Sequence, residues 1–252
     1  MKDFIVFCYA RTGSYRLMDI LNRQEKVVAY GEVYKKQWIE VDQDVLSNLG
    51  YERSDVEKRD SKPIKFYNDL SRMHEDKQFG FKIFPDHNYK ILKHLAKDKG
   101  LTKIFLVRNP VQTYISEKVA HHTNKWVVRE GEQPTNLDDV KVRFSFEEFS
   151  RHLSYRLSWY VEINSLAGLS DEQINTIDYL DALDSDYLQS FLNKIGIQCQ
   201  DIETSHKKAI SKSYDDIVEN WDEVLRYFDN YKLNHEMRFL DFCHQFFLNN
   251  RR

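Results

Sequence analysis

Phe4-Ile-Val-Phe-Cys-Tyr9 runs directly into Ala10-Arg11-Thr12-Gly13-Ser14-Tyr15-Arg16, and this junction decides the fold. Six mostly apolar, β-favouring residues in a row read as a strand buried on both faces, as in a parallel sheet. The loop that follows offers Gly13, the small hydroxyls of Thr12 and Ser14, and Arg11. Leu17, Ile20 and Leu21 then recur at helical spacing. Strand, tight loop and helix aim backbone N–H groups and a helix N-terminus at an anion. A βα turn with a solvated Arg11 is the plainer alternative. No G-x-x-x-x-G-K-[ST] occurs in the chain, and this loop has no Lys. The loop is therefore expected to hold a phosphate without hydrolysing a triphosphate.

Outward from the junction, further β-like runs lie at Val27–Ala29, Phe79–Phe84, Lys103–Val107 and Ile174–Tyr179, with helical periods between them. Tyr89, Leu92, Leu95 and Ala96 share one helix face, with Gly100 as the expected C-cap. Pro110 suits a first helical turn. Phe146 to Ala167 keeps a helical period for about six turns, and Ile217–Phe228 and Leu233–Phe247 read as later helices. Alternating strands and helices predict an α/β fold with a central parallel sheet covered on both faces, and a helical C-terminal part. Ligands of such sheets sit beyond the carboxyl ends of the strands. The loops after Tyr9, Ala29, Phe84 and Val107 should converge there. Residues 35–76 and 121–145 are polar and read as solvated insertions in a single domain of 252 residues.

Composition narrows the function. A net charge of −3 gives no bulk attraction to nucleic acid or anionic membrane. Three dispersed cysteines without CxxC spacing argue against disulfides or a zinc site, and no acid or His cluster has metal-ligand spacing. No apolar run approaches a membrane span, and Arg11 and Arg16 interrupt any signal-peptide pattern, so a cytoplasmic protein without stable membrane insertion is expected.

A second constellation is Leu106-Val107-Arg108-Asn109-Pro110-Val-Gln-Thr-Tyr-Ile-Ser116. Arg108 ends a strand and Ser116 lies two helical turns on, about 11 Å along one axis. They converge only if the chain bends at Asn109-Pro110. A surface Arg and an indifferent helical Ser are the plainer reading of the two taken alone.

Together the two segments resemble the sulfotransferases that use 3′-phosphoadenosine 5′-phosphosulfate (PAPS, leaving 3′-phosphoadenosine 5′-phosphate, PAP). Ala10-Arg11-Thr12-Gly13-Ser14 is similar to their Pro-Arg-Ser-Gly-(Ser/Thr) loop, and Arg108…Ser116 to their second motif in types and spacing. Thr176-Ile-Asp-Tyr179, Phe191-Leu-Asn-Lys-Ile-Gly196-Ile and Asp216-Ile-Val-Glu-Asn220-Trp extend the resemblance to about residue 230. Tyr30-Gly31-Glu32-Val33-Tyr34 and Lys118…Thr123-Asn124-Lys125-Trp126 resemble the bacterial carbohydrate branch, of nodulation-factor and trehalose type. Tyr15 stands where a second small hydroxyl residue is usual, Ala10 replaces Pro, and Arg16 is an added cation.

The resemblance implies a P-loop-like three-layer α/β/α fold and sulfuryl transfer to a hydroxyl of a carbohydrate or glycolipid acceptor, without a metal. It implies that Arg11, Thr12, Gly13, Ser14 and the Tyr15 position face the 5′-phosphosulfate, and that Arg108 and Ser116 grip the 3′-phosphate. Lys207 and Lys208, in the basic run after His206, are carried over to the same phosphate; a solvated charge run is the alternative. Glu32 is the expected base for the acceptor hydroxyl, with His87, His121 and His122 as runners-up. Lys82, inside an apolar β run, either faces a polar surface or stabilises charge as the bond to sulfur breaks. Trp126 either stacks on a sugar or belongs to the core. The competing functions are a P-loop small-molecule kinase and an inactive sulfotransferase-like binding protein.

Overall fold

The structure, a computed structural model, describes residues 2–128, 131–132, 137–168, 175–206, 210 and 212–249. Five strands form one parallel sheet: β1 (Phe4–Cys8), β2 (Val27–Tyr30), β3 (Gln78–Ile83), β4 (Thr102–Val107) and β5 (Asn175–Asp178), in the order β2-β3-β1-β4-β5. The strand positions match the sequence reading, with ends that differ by a single residue; Ile174 lies outside the described residues. β1 is central, and all five of its residues are fully buried.

Alternation along β1 divides the core. Phe4, Val6 and Cys8 face α1 (Ser14–Asn22), packing with Leu17, Ile20 and Leu21. Ile5 and Phe7 face the opposite layer, with Phe66 and Leu70 of one helix, Ile91 and Leu95 of α5 (Tyr89–Lys97) and Trp159 and Ile163 of α7 (Phe146–Ala167). This is a sheet between two helical layers. A third cluster is helical. It joins Val111 and Ile115 of α6 (Pro110–Thr123), Phe149 and Leu153 of α7, and Val224, Phe228 and Phe242 from the C-terminal part.

The stretch 35–76 corrects the expectation of a solvated insertion. It folds as α2 (Gln43–Asn48), α3 (Val56–Ser61) and α4 (Pro63–Arg72). Ile39, Val41, Leu46, Phe66, Tyr67 and Leu70 are buried against the sheet. Arg59 is fully buried, donating to the carbonyls of Val33 (3.0 Å) and Lys35 (2.9 Å) and pairing with Asp60. That guanidinium pins the segment just after β2. Charges on the outer faces hid the inward apolar residues from a reading by composition. The stretch 121–145 likewise buries Leu137, Val140, Val142 and Phe144.

Beyond β3, α5 (Tyr89–Lys97) stops short of Gly100. Gly100 is not its cap; its N–H donates to Asp98 Oδ1 at 2.7 Å. After β4, Asn109 caps α6 (Pro110–Thr123), its side chain accepting from the Val111 N–H at 2.9 Å. The Asn109 amide also donates to the carbonyls of Asn234 and Met237. This places the segment before the last helix over the β4–α6 turn. The remaining helices are α7 (Phe146–Ala167), α8 (Ser185–Lys194), α9 (Tyr214–Ile217), α10 (Trp221–Asn230) and α11 (Phe239–Asn249). Among the described residues no helix is long and apolar enough to cross a membrane.

Candidate functional site

The β1–α1 loop lies at the carboxyl end of the central strand, where a parallel sheet gathers its ligands. Two residues there adopt left-handed backbone, Arg11 (φ 68°) and Gly13 (φ 84°). For Arg11 this costs about 1–2 kcal/mol. Gly13 has no alternative, because a Cβ would sit 2.7 Å from the Tyr179 ring. The bend carries the Arg11 guanidinium across to α6, where Nε donates to Ser116 Oγ at 2.9 Å and a terminal nitrogen reaches the Trp126 carbonyl.

Arg108 completes the junction. It donates to the Arg11 carbonyl (2.9 Å) and to Gln112 (2.9 Å), and its guanidinium lies 3.9 Å over the Tyr179 ring. The bend at Asn109-Pro110 thus brings both residues onto Arg11, Arg108 at its carbonyl and Ser116 at its guanidinium. Arg16, one turn into α1, reaches the Ala182 carbonyl. Burial lowers the Arg11 pKa, the neighbouring Arg108 lowers it further, and it falls to about 10, which leaves the group charged at neutral pH.

These residues line a cavity of about 610 Å³, within the usual range for a small-molecule site. Arg11, Gly13, Ser14, Tyr15, Arg16, Arg108, Ser116 and Trp126 border it. So do Tyr214, Trp221 and His235, whose rings pack on one another, and the acids Asp215 and Glu236. Trp126 is 39% exposed and meets His121 edge-on at 4.8 Å. His121 and His122 are exposed. Thr12 departs from its expected place: it is buried and its hydroxyl donates to the Tyr9 carbonyl at 2.8 Å. Lys207 and Lys208 lie outside the described residues.

Behind the loop sits a second, buried polar cluster. Glu32 Oε1 lies 3.4 Å from Lys82 Nζ, and Oε2 lies 3.6 Å from His87 Nε2. The Phe84 N–H donates to His87 Nδ1 at 3.2 Å, which leaves the ring proton on Nε2, facing the carboxylate. Burial pushes the Glu32 pKa up, but the His87 N–H and the Lys82 charge outweigh it, and the group falls to about 2. Lys82 is fully buried, so its pKa is lowered by desolvation against the pull of Glu32. It reaches Ser14 Oγ at 3.5 Å, and the Tyr15 ring centroid lies 2.9 Å from its ammonium. Neither Glu32, Lys82 nor His87 borders the cavity; Tyr15 does. The sequence left Lys82 either on a polar face or stabilising charge near sulfur. It lies behind the cavity lining, because both faces of β3 are covered.

Glu40 belongs to this cluster and escaped the sequence reading. Its carboxylate accepts from the Glu32 N–H at 2.7 Å and from the Tyr15 hydroxyl at 3.4 Å. Its carboxyl carbon packs against Gly31, where a Cβ would lie 2.5 Å away. Asp19 was also missed. It accepts from the Ser205 N–H (2.7 Å) and the Thr204 hydroxyl (2.8 Å), which brings His206 to stack on Tyr15 at 6.0 Å.

No protein-family model and no curated protein sequence matches the chain. Solved structures with a similar path include the sulfotransferase domain of the Synechococcus PCC 7002 olefin synthase, at 14% identity and TM-score 0.46 over 80% of this chain and 77% of that one. Mouse sulfotransferase SULT7A1 complexed with PAP is similar at 15% and 0.41, over 79% and 60%. A sulfotransferase from Alicyclobacillus acidocaldarius is similar at 10% and 0.44, over 91% and 92%. Likeness at this level assigns neither family nor activity.

Proposed function

We propose that the chain is a sulfotransferase that moves a sulfuryl group from PAPS to a hydroxyl of a carbohydrate or glycolipid. One observation carries the reading. Arg11, Arg16 and Arg108 border a single cavity, and among the described residues the hydrogen-bond acceptors of all three are neutral: Ser116, Gln112 and backbone carbonyls, with Glu117 acting on Arg11 through its charge alone. Guanidiniums held by neutral partners keep their charge for an anion, and their planar forks suit phosphate oxygens.

The residues fit the cofactor's two anionic ends. Arg11, Gly13 and Ser14 would hold the 5′-phosphosulfate, Arg108 and Ser116 the 3′-phosphate. When bound, PAPS supplies the sulfuryl group and a phosphate leaving group. The guanidiniums would meet the charge that gathers on that phosphate, as fixed cations do in phosphoryl transfer. The exposed Trp126 ring offers a face for a sugar acceptor.

Glu32 would receive the acceptor's proton. A carboxylate near pKa 2 is always ionised at neutral pH but is a weak base. It suffices for a proton that leaves late, after the bond to sulfur has made the acceptor oxygen strongly acidic. Lys82 and His87 act on Glu32 rather than on the cofactor. The test is transfer of labelled sulfate from PAPS to trehalose, chito-oligosaccharides and glycolipids. Glu32→Gln should cut turnover at least 100-fold while keeping PAP affinity. Equal turnover in the two proteins would remove Glu32 as the base.

A further inference from the structure

Tyr15 is the departure from the resembled loop, and the structure gives it a place. Its hydroxyl donates to Glu32 Oε1 at 3.0 Å. Its ring covers the Lys82 ammonium on one side and stacks on His206 on the other. It borders the cavity, while the carboxylate behind it does not. A phenol whose only proton points at a carboxylate keeps an oxygen lone pair to accept a hydrogen bond. A hydroxyl compound in the cavity meets Tyr15, which borders it, before Glu32, which does not.

We infer that Tyr15 is a catalytic residue, the proton relay between the acceptor hydroxyl and Glu32; this rests on the sulfotransferase reading above. As the acceptor oxygen bonds to sulfur, its proton passes to Tyr15 Oη and the phenolic proton passes to Glu32 Oε1. The sulfur–oxygen bond to the leaving phosphate breaks, and its electron pair stays on that phosphate. Tyr15 ends neutral, and Glu32 ends protonated and loses its proton to solvent. Such a relay explains why a large phenol stands in a loop that otherwise uses small hydroxyls. It also explains how Glu32 can act while staying buried beside Lys82.

Tyr15→Phe is the discriminating variant, because it keeps the ring over Lys82 and removes only the hydroxyl. Four proteins are compared: wild type, Tyr15→Phe, Glu32→Gln and the double variant. The probes are PAP binding by calorimetry and conversion of labelled PAPS to PAP with water or trehalose as acceptor. Tyrosine ¹³Cζ NMR reports on the hydrogen bond itself. All four should bind PAP within threefold of one another. Each single variant should lose at least 100-fold in kcat, and the double variant should fall no further than the worse single. The Tyr15 ¹³Cζ line, identified by its loss in Tyr15→Phe, should shift in Glu32→Gln. Tyr15→Phe turnover within threefold of wild type, or losses that multiply in the double variant, would overturn the relay and leave the transferase reading standing. So would a Tyr15 line unmoved by Glu32→Gln. A wild type that binds PAP but converts no PAPS overturns the relay and leaves a binding protein. A wild type that does not bind PAP overturns the reading beneath both.

Discussion

Arg108 shows best what one side chain does here. It holds the Arg11 carbonyl with one nitrogen and Gln112 with another, and it lies flat over Tyr179. Arg108→Ala should weaken PAP by roughly 2–4 kcal/mol, the cost of a lost charge-assisted partner at a desolvated site. Calorimetry reads this directly, and unchanged affinity would discard the 3′-phosphate assignment. That Arg11, Arg108 and Ser116 come together was legible from two short motifs, each beginning at a strand end. Glu40 and the burial of Lys82 were not. Glu40 meets its partners across a turn whose path no local pattern encodes. Lys82 lies in a strand with both faces covered, so alternation could not say which side it takes.

At the scale of elements, the β1–α1 loop depends on one backbone geometry. Gly13→Ala would force a Cβ into left-handed backbone and against Tyr179. It should destabilise the fold by about 1–3 kcal/mol and weaken PAP together with it; a thermal melt and a titration on the same sample test both. An alanine variant with wild-type affinity would mean that the loop's shape does not set the site. The strands, α1 and α7 were legible from apolar runs and helical period, which depend only on neighbours in sequence. The helices α2–α4 were not. Their buried residues are few per turn, charged residues surround them, and their stability comes from tertiary packing on the sheet and from the buried Arg59.

Across the whole molecule, acid stability follows from buried groups that do not border the cavity. His152 is held below its ordinary value, at about 2, by burial first and then by Arg156, whose Nε donates to it at 2.7 Å. Glu117, 3.5 Å from its other nitrogen, favours the protonated ring but is outweighed. The unfolded chain therefore takes up a proton below about pH 6.5 that the folded chain refuses. Stability falls as pH drops from there, by roughly 2 kcal/mol between pH 7 and 5 from this group. Glu32 adds to the loss only below the ordinary carboxylate range, where its depressed pKa has its effect. Urea melts should show a smaller loss from pH 7 to 5 in His152→Asn than in wild type. Equal slopes would show that His152 protonates without cost.

The claim on which the rest depends is that the cavity takes a 3′,5′-bisphosphate of adenosine. Titration of PAP into the wild-type chain, beside ATP with magnesium, tests it most directly. The account predicts saturable one-to-one binding of PAP, at least tenfold tighter than ATP with magnesium, and most of it lost in Arg108→Ala. Binding of ATP with magnesium but not of PAP would contradict it.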